Sequence, residues 1–190
     1  FGDGDIRLTV WQNLLISGVP DEQLDVARAA IHAAGLSTRV SNLRAGLVAC
    51  TGSAGCKFAA SDTKADALRI ADHVDALMSV DLPVNIHLTG CHHSCAQHYI
   101  GDIGLIGAKV TVNDEGDQVP GYHLHVGGGF GEQGAIGRLL QSNVRASDAP
   151  KTVEALLRAW TTHRMDPSES FQAFTARHEL ETLKQFAEQM

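Results

Sequence analysis

The chain has 190 residues, 44% hydrophobic and 19% charged, with a formal net charge of −7. That length can bury a sizeable core in one or two globular domains. The negative charge argues against nucleic acid, whose binding relies on Lys and Arg at phosphates, and no apolar run approaches the roughly 20 residues needed to cross a bilayer.

The first residue is Phe1 rather than Met, so the chain is expected to be part of something longer. No signal peptide is visible at the start. Four cysteines are too few for a disulfide-dense secreted scaffold, so a reducing, cytoplasmic setting with a metal role for the thiols is expected.

Ile6 to Trp11 alternates apolar with polar and reads as a strand, interrupted by Gln12-Asn13 and followed by the apolar run Leu14-Leu15-Ile16. Pro20-Asp21-Glu22 opens a helix with acidic residues near its positive end. Leu24, Ala27, Ile31 and Ala34 share one face of it, and Gly35 stops it. A second strand centres on Leu47-Val48-Ala49 and delivers the chain to Cys50. Ala59 to Met78 is helical in pattern, with Leu68, Ala71, Val74 and Met78 on the apolar side and Asp75 as the polar intruder. Val84 to Leu88 is another strand and runs through Thr89-Gly90 to Cys91.

Gly101 to Gly107 is apolar with a glycine at every third position. Lys109 to Val112 and Tyr122 to Val126 read as hairpin strands around Asn113-Asp114-Glu115-Gly116. Gly127-Gly128-Gly129 follows, and Ala135 to Leu140 resembles the start of a short helix. Pro150 to His163 is amphipathic, with Val153, Leu156, Leu157 and Trp160 on one side. Further helical stretches carry Phe171, Phe174, Leu180, Leu183 and Phe186. His123 and His125 alternate on a strand and share a face, which most simply makes them exposed strand residues.

All four cysteines fall in two pairs, Cys50/Cys56 with five residues between them and Cys91/Cys95 with three. Each pair begins where a strand ends. Soft thiolate sets select zinc or iron–sulfur clusters. Structural zinc usually uses pairs two to four residues apart, which suits Cys91/Cys95 and not Cys50/Cys56. A Cys50–Cys56 disulfide is allowed by spacing and disfavoured by compartment. A cubane cluster is the third reading, and small residues in Thr51 to Gly55 would let backbone approach such a group.

These motifs resemble the siroheme-dependent nitrite and sulfite reductases, which carry the same Cys-x5-Cys and Cys-x3-Cys pairs. Ile6 to Ile16 resembles the segment opening that family's second pseudo-repeat, and Thr89-Gly90 and Gly127-Gly128-Gly129 also fit. The resemblance covers most of the chain and weakens after about Leu140. It implies that Cys50, Cys56, Cys91 and Cys95 hold a 4Fe-4S cluster. It also implies that Cys95 bridges the cluster to siroheme iron, which makes it the catalytic cysteine. Arg7, Thr9, Gln12 and Asn13 sit where the family places siroheme contacts. An amide pair such as Gln12-Asn13 within an apolar run must be hydrogen-bonded to something.

The chain departs from the family's Pro-Asn after Cys91, carrying His92-His93, which most simply face solvent. The cations that bind the substrate anion belong to the family's N-terminal half, outside this chain, so siroheme would be cradled on one side only. Ser94, Gln97, Cys56-Lys57 and Asp62-Thr63-Lys64 lean toward the nitrite branch. The implied reaction is six-electron reduction of nitrite to ammonium, with ferredoxin or a similar donor. Sulfite reduction is the alternative, and a catalytically silent metal-binding fragment is a third reading. The expected fold is α+β, with mixed β-sheets and packed helices. Its expected divisions are residues 1–41 in a ferredoxin-like half-domain, 42–137 in the cluster and siroheme domain, and 138–190 in a helical tail.

Overall fold

The chain's first two strands, β1 (Ile6–Leu8) and β2 (Leu14–Ile16), pair antiparallel, with Ile6 opposite Ile16 and Leu8 opposite Leu14. This computed structural model describes residues 1–188. The first strand ends at Leu8, earlier than its alternation suggests, because Thr9 to Asn13 closes the hairpin. Thr9 N–H donates to the Asn13 carbonyl at 2.9 Å, and Gln12 takes a left-handed φ of 59°. The amides of Gln12 and Asn13 therefore belong to a turn, not to an apolar run. A 3-10 turn at Asp21–Gln23 leads into α1 (Leu24–Ala33). Gly35 ends that helix at φ 77°, and its N–H bonds the His32 carbonyl at 2.9 Å.

The chain divides into two compact units, Phe1–Ser41 and Asn42–Met190. The second opens with a short helix α2 (Asn42–Ala45) and strand β3 (Leu47–Ala49), followed by helix α3 (Thr63–Leu77) and strand β4 (Ile86–Thr89). Strands β5 (Ile103–Thr111), β6 (Gln118–Val126) and β7 (Arg138–Arg145) complete one sheet in the order β3-β4-β5-β6-β7. The first three strands are parallel, and β6 and β7 are antiparallel to their neighbours. Three helices follow, α4 (Ala149–His163), α5 (Phe171–Ala176) and α6 (Leu180–Glu188). The fold is α+β, as expected.

Three elements differ from the sequence reading. First, Arg138–Arg145 is a strand, where a helix start at Ala135 and a helical tail from residue 138 were expected. Its alternating Leu140 and Val144 are buried against a sheet edge that already exists, and pairing with β6 outweighs local propensity. Second, the glycine-spaced run from Ile103 belongs to a nine-residue strand. Third, α3 buries Asp66, Ala67, Ile70, Ala71 and Val74, whereas Leu68 is 56% exposed. The buried acid is Asp66, bonded to the Tyr122 hydroxyl and to Arg69, while Asp75 pairs with Arg44 at 2.6 Å.

The core lies on one face of the sheet. Ile86, Leu88, Ile103, Leu105, Tyr122, Leu124 and Val126 point into it and meet Ile70, Val74, Leu157, Trp160, Phe171 and Phe174 from the helices. Because strand side chains alternate, the intervening residues His87, Gly104, Ile106, His123 and His125 share the sheet's other face.

Candidate metal centre

Strands β3 and β4 are parallel neighbours, so both deliver their cysteines at the same end of the sheet. Cys50 follows β3 directly and its N–H donates to the Leu88 carbonyl of β4 at 3.0 Å. Gly90 N–H donates to Cys50 Sγ at 3.2 Å, and Ala60 N–H donates to the Gly90 carbonyl at 2.8 Å. The two turns therefore converge. Thr63 Oγ1 donates to the Cys50 carbonyl at 2.8 Å and lies 3.5 Å from its sulfur.

Both turns are internally bonded. Cys56 N–H reaches the Gly52 carbonyl at 2.9 Å, and Ser94 N–H reaches the Cys91 carbonyl at 3.1 Å. All four thiols are free, with Cys50, Cys56 and Cys91 half-buried and Cys95 exposed. The Cys50–Cys56 disulfide is thus not formed. Among the described residues, no three His, Cys, Asp or Glu side chains gather as a single-ion cage would require. An all-thiolate donor set on two adjoining turns, with a backbone N–H already aimed at one sulfur, fits an iron–sulfur cluster.

Histidines surround the second turn. His92 and His93 are exposed, as expected, and His93 Nδ1 also comes within 3.5 Å of Cys91 Sγ while its ring meets Phe58 edge-on. His123 and His125 are half-buried, not the exposed strand residues expected. With His92, His98, Ile106, Leu139 and Ser142 they line a cavity of about 360 Å³ on the second face of the sheet. Sequence reasoning missed His98, which no strand or helix periodicity marks because it sits in the 3-10 turn after Cys95.

Burial, reinforced by the neighbouring His125, His92 and His87, pushes His98 down to about 4. A folded-state value below the unfolded 6.5 means that the unfolded chain binds the proton first. His98 therefore contributes stability above about pH 6.5 that is lost as pH falls toward 4. In the metal-free chain, the urea midpoint of wild type is expected to drop more between pH 7 and pH 5 than that of His98→Asn. Parallel pH profiles would refute this.

The remaining expected contacts lie in the first unit. The Arg7 guanidinium is held by Asp5 at 3.1 Å, Asp3 at 3.4 Å and the Ser17 hydroxyl. Thr9 Oγ1 accepts the Asn13 N–H at 3.1 Å.

Residues 40–184 match the family model described as the nitrite and sulphite reductase 4Fe-4S domain, and residues 1–34 match the nitrite/sulfite reductase ferredoxin-like half domain. The ferredoxin–nitrite reductase of Synechococcus elongatus is 38% identical over 157 residues, which cover 83% of this chain and 30% of that protein. Sulfite reductase (ferredoxin) 1 of Mycolicibacterium paratuberculosis is 32% identical over 189 residues, covering 96% of this chain and 34% of that protein. Among solved structures, the Mycobacterium tuberculosis NirA protein matches with a TM-score of 0.84 at 31% identity, over 94% of this chain and 33% of that one. A dissimilatory sulfite reductase I (DsrI) shares the fold, with a TM-score of 0.77 at 12% identity over 98% of this chain and 62% of that one. The chain spans about a third of the length of the curated relatives it matches. With both of its units matched and its cysteine turns converging, the chain belongs to the nitrite and sulfite reductase family.

Proposed function

We propose that this chain is the cluster-bearing portion of a ferredoxin-dependent nitrite reductase that reduces nitrite to ammonium. The observation that carries the reading is the convergence of two thiol pairs at the ends of adjoining parallel strands. Cys50, Cys56, Cys91 and Cys95 would hold a 4Fe-4S cluster, and Cys95 would also ligate siroheme iron. When bound, these groups supply electron storage and the iron at which the anion is reduced.

The protein's own part is to hold and tune. The Gly90 N–H donates to the Cys50 sulfur and stabilises negative charge there, which favours the reduced state. Arg7 presents a planar fork suited to siroheme carboxylates. To take that role it would exchange Asp3 and Asp5 for the cofactor's acids. Thr9, Gln12 and Asn13 would add polar contacts from the same hairpin. The cations that bind nitrite would come from the rest of the polypeptide, and the enzyme would work in the cytoplasm. Among the described residues, no helix is long and apolar enough to cross a membrane.

Nitrite is favoured over sulfite by Ser94 and Gln97 and by the higher identity to a nitrite reductase, 38% against 32%. Sulfite remains the second reading, because the sulfite reductase match extends over 96% of the chain. The test uses the full-length protein that contains this chain, supplied with reduced ferredoxin and either anion. A kcat/KM for nitrite well above that for sulfite is expected, and the reverse order would replace nitrite with sulfite. About five iron and four acid-labile sulfide per chain are expected in the same sample, four of each from the cluster and the fifth iron from siroheme. A colourless protein with neither would make the cluster reading untenable.

A further inference from the structure

We propose that His98 is a positioning residue for Cys95, holding the strained turn that presents this thiol. The inference rests on the cluster reading above. Ser94 and Gln97 flank Cys95 in the left-handed region, at φ 52° and φ 53°. Residues with a Cβ adopt that conformation at a cost, and it persists only where the surroundings impose it. Something must therefore hold both ends of the turn.

The far end is held by β4. His87 and Thr89 project from its second face toward the chain that follows Cys95. His87 Nδ1 lies 3.1 Å from the Gln97 carbonyl oxygen, so this nitrogen donates. Thr89 Oγ1 accepts the Ala96 N–H at 3.0 Å. The near end is held by His98, whose Nδ1 lies 2.8 Å from Ser94 Oγ. Both partners are buried, so water does not readily replace either.

The imidazole is itself fixed. Its ring meets His125 edge-on at 5.1 Å and Tyr99 at 4.7 Å. Burial keeps it neutral at ordinary pH. With the proton on Nε2, Nδ1 accepts the Ser94 hydroxyl hydrogen, and this bond pins the residue immediately before Cys95.

The test reconstitutes the full-length protein that contains this chain anaerobically with iron and sulfide. Cluster loss to a chelator is timed by absorbance, and the midpoint potential is measured alongside. His98→Leu removes the acceptor, Ser94→Ala removes the donor, and His98→Asn keeps an acceptor near the position of Nδ1. His98→Leu and Ser94→Ala are each expected to lose the cluster about 3- to 10-fold faster, the range set by one ordinary hydrogen bond. The double variant should be no faster than either single, because the two changes break one bond. His98→Asn should return loss rate and midpoint toward the parent, whereas His98→Leu should shift both.

A packing role alone would leave His98→Asn as defective as His98→Leu, and that result overturns the inference. Parent-like loss in Ser94→Ala also overturns it, even if His98→Leu fails to fold. A full-length parent that takes up no iron and sulfide fails before any variant is compared. That outcome overturns the cluster reading, and this inference with it.

Discussion

Replacing Cys95 by serine is expected to abolish anion reduction in the full-length protein while leaving the fold intact. The second turn is held by its own backbone, through Ser94 N–H to the Cys91 carbonyl at 3.1 Å and Gln97 N–H to the Ser94 carbonyl at 2.7 Å. Neither bond uses the Cys95 sulfur, and that residue is exposed. Its loss should therefore cost little stability. The chemical loss is different in kind. Serine offers a hard hydroxyl with a far higher pKa, a poor ligand for a soft iron–sulfur centre. Outer-shell changes at metal sites cost about 10–100-fold. Loss of a shared ligand should exceed that range. Steady-state reduction of nitrite and sulfite checks the first part, and thermal melting checks the second. Retained activity within about tenfold of the parent would remove Cys95 from its bridging role.

Gly104→Ala should destabilise the second unit and disturb the cysteine turn from beneath. Ordinarily a strand glycine replaced by alanine gains about 0.5–1 kcal/mol from lower unfolded-chain entropy. Here Gly104 pairs with His87 on one side and His125 on the other, and the His98 backbone lies directly over it. A methyl built there would overlap the His98 carbonyl oxygen and come within 2.7 Å of the carbonyl carbon. The obstacle is backbone, so it cannot swing aside as a side-chain tip would. Overpacking of this kind costs about 1–3 kcal/mol and occasionally more, which outweighs the entropic gain. The expected net loss is about 1–2 kcal/mol, read from the urea midpoint. An unchanged or higher midpoint would show that the turn can lift off the sheet freely. A neighbouring site repeats the logic, since a methyl on Gly107 would lie 2.5 Å from the Gly90 carbonyl oxygen, just before Cys91.

These glycines show what local pattern can and cannot convey. The three-residue spacing of Gly101, Gly104 and Gly107 is visible in the chain, but its meaning is not. Only the paired strands reveal that Gly104 lies under the backbone after Cys95 and that Gly107 lies against the backbone just before Cys91. The same gap explains α3. Ala71 and Val74 were placed inside correctly, yet a slightly rotated stripe put Leu68 there instead of Ala67 and Ile70. The acid expected on that face is Asp75, whereas the buried one is Asp66, because nothing local announces the Tyr122 hydroxyl that satisfies it.

The cysteine spacings, the strands that run out just before Cys50 and Cys91, and the hairpin around Asn113 to Gly116 followed from sequence alone. Each is set by neighbours within a few residues, where side-chain type and turn chemistry act directly. The helix expected at Ala135 failed for the converse reason: β7 exists because the edge of β6 was there to be paired, a partner distant in the chain. Tertiary structure likewise decided that His87, Thr89 and His98 meet the turn carrying Cys95. Hydrogen bonds between residues brought together by folding leave no period in the sequence, so their partners become visible only once the sheet has formed.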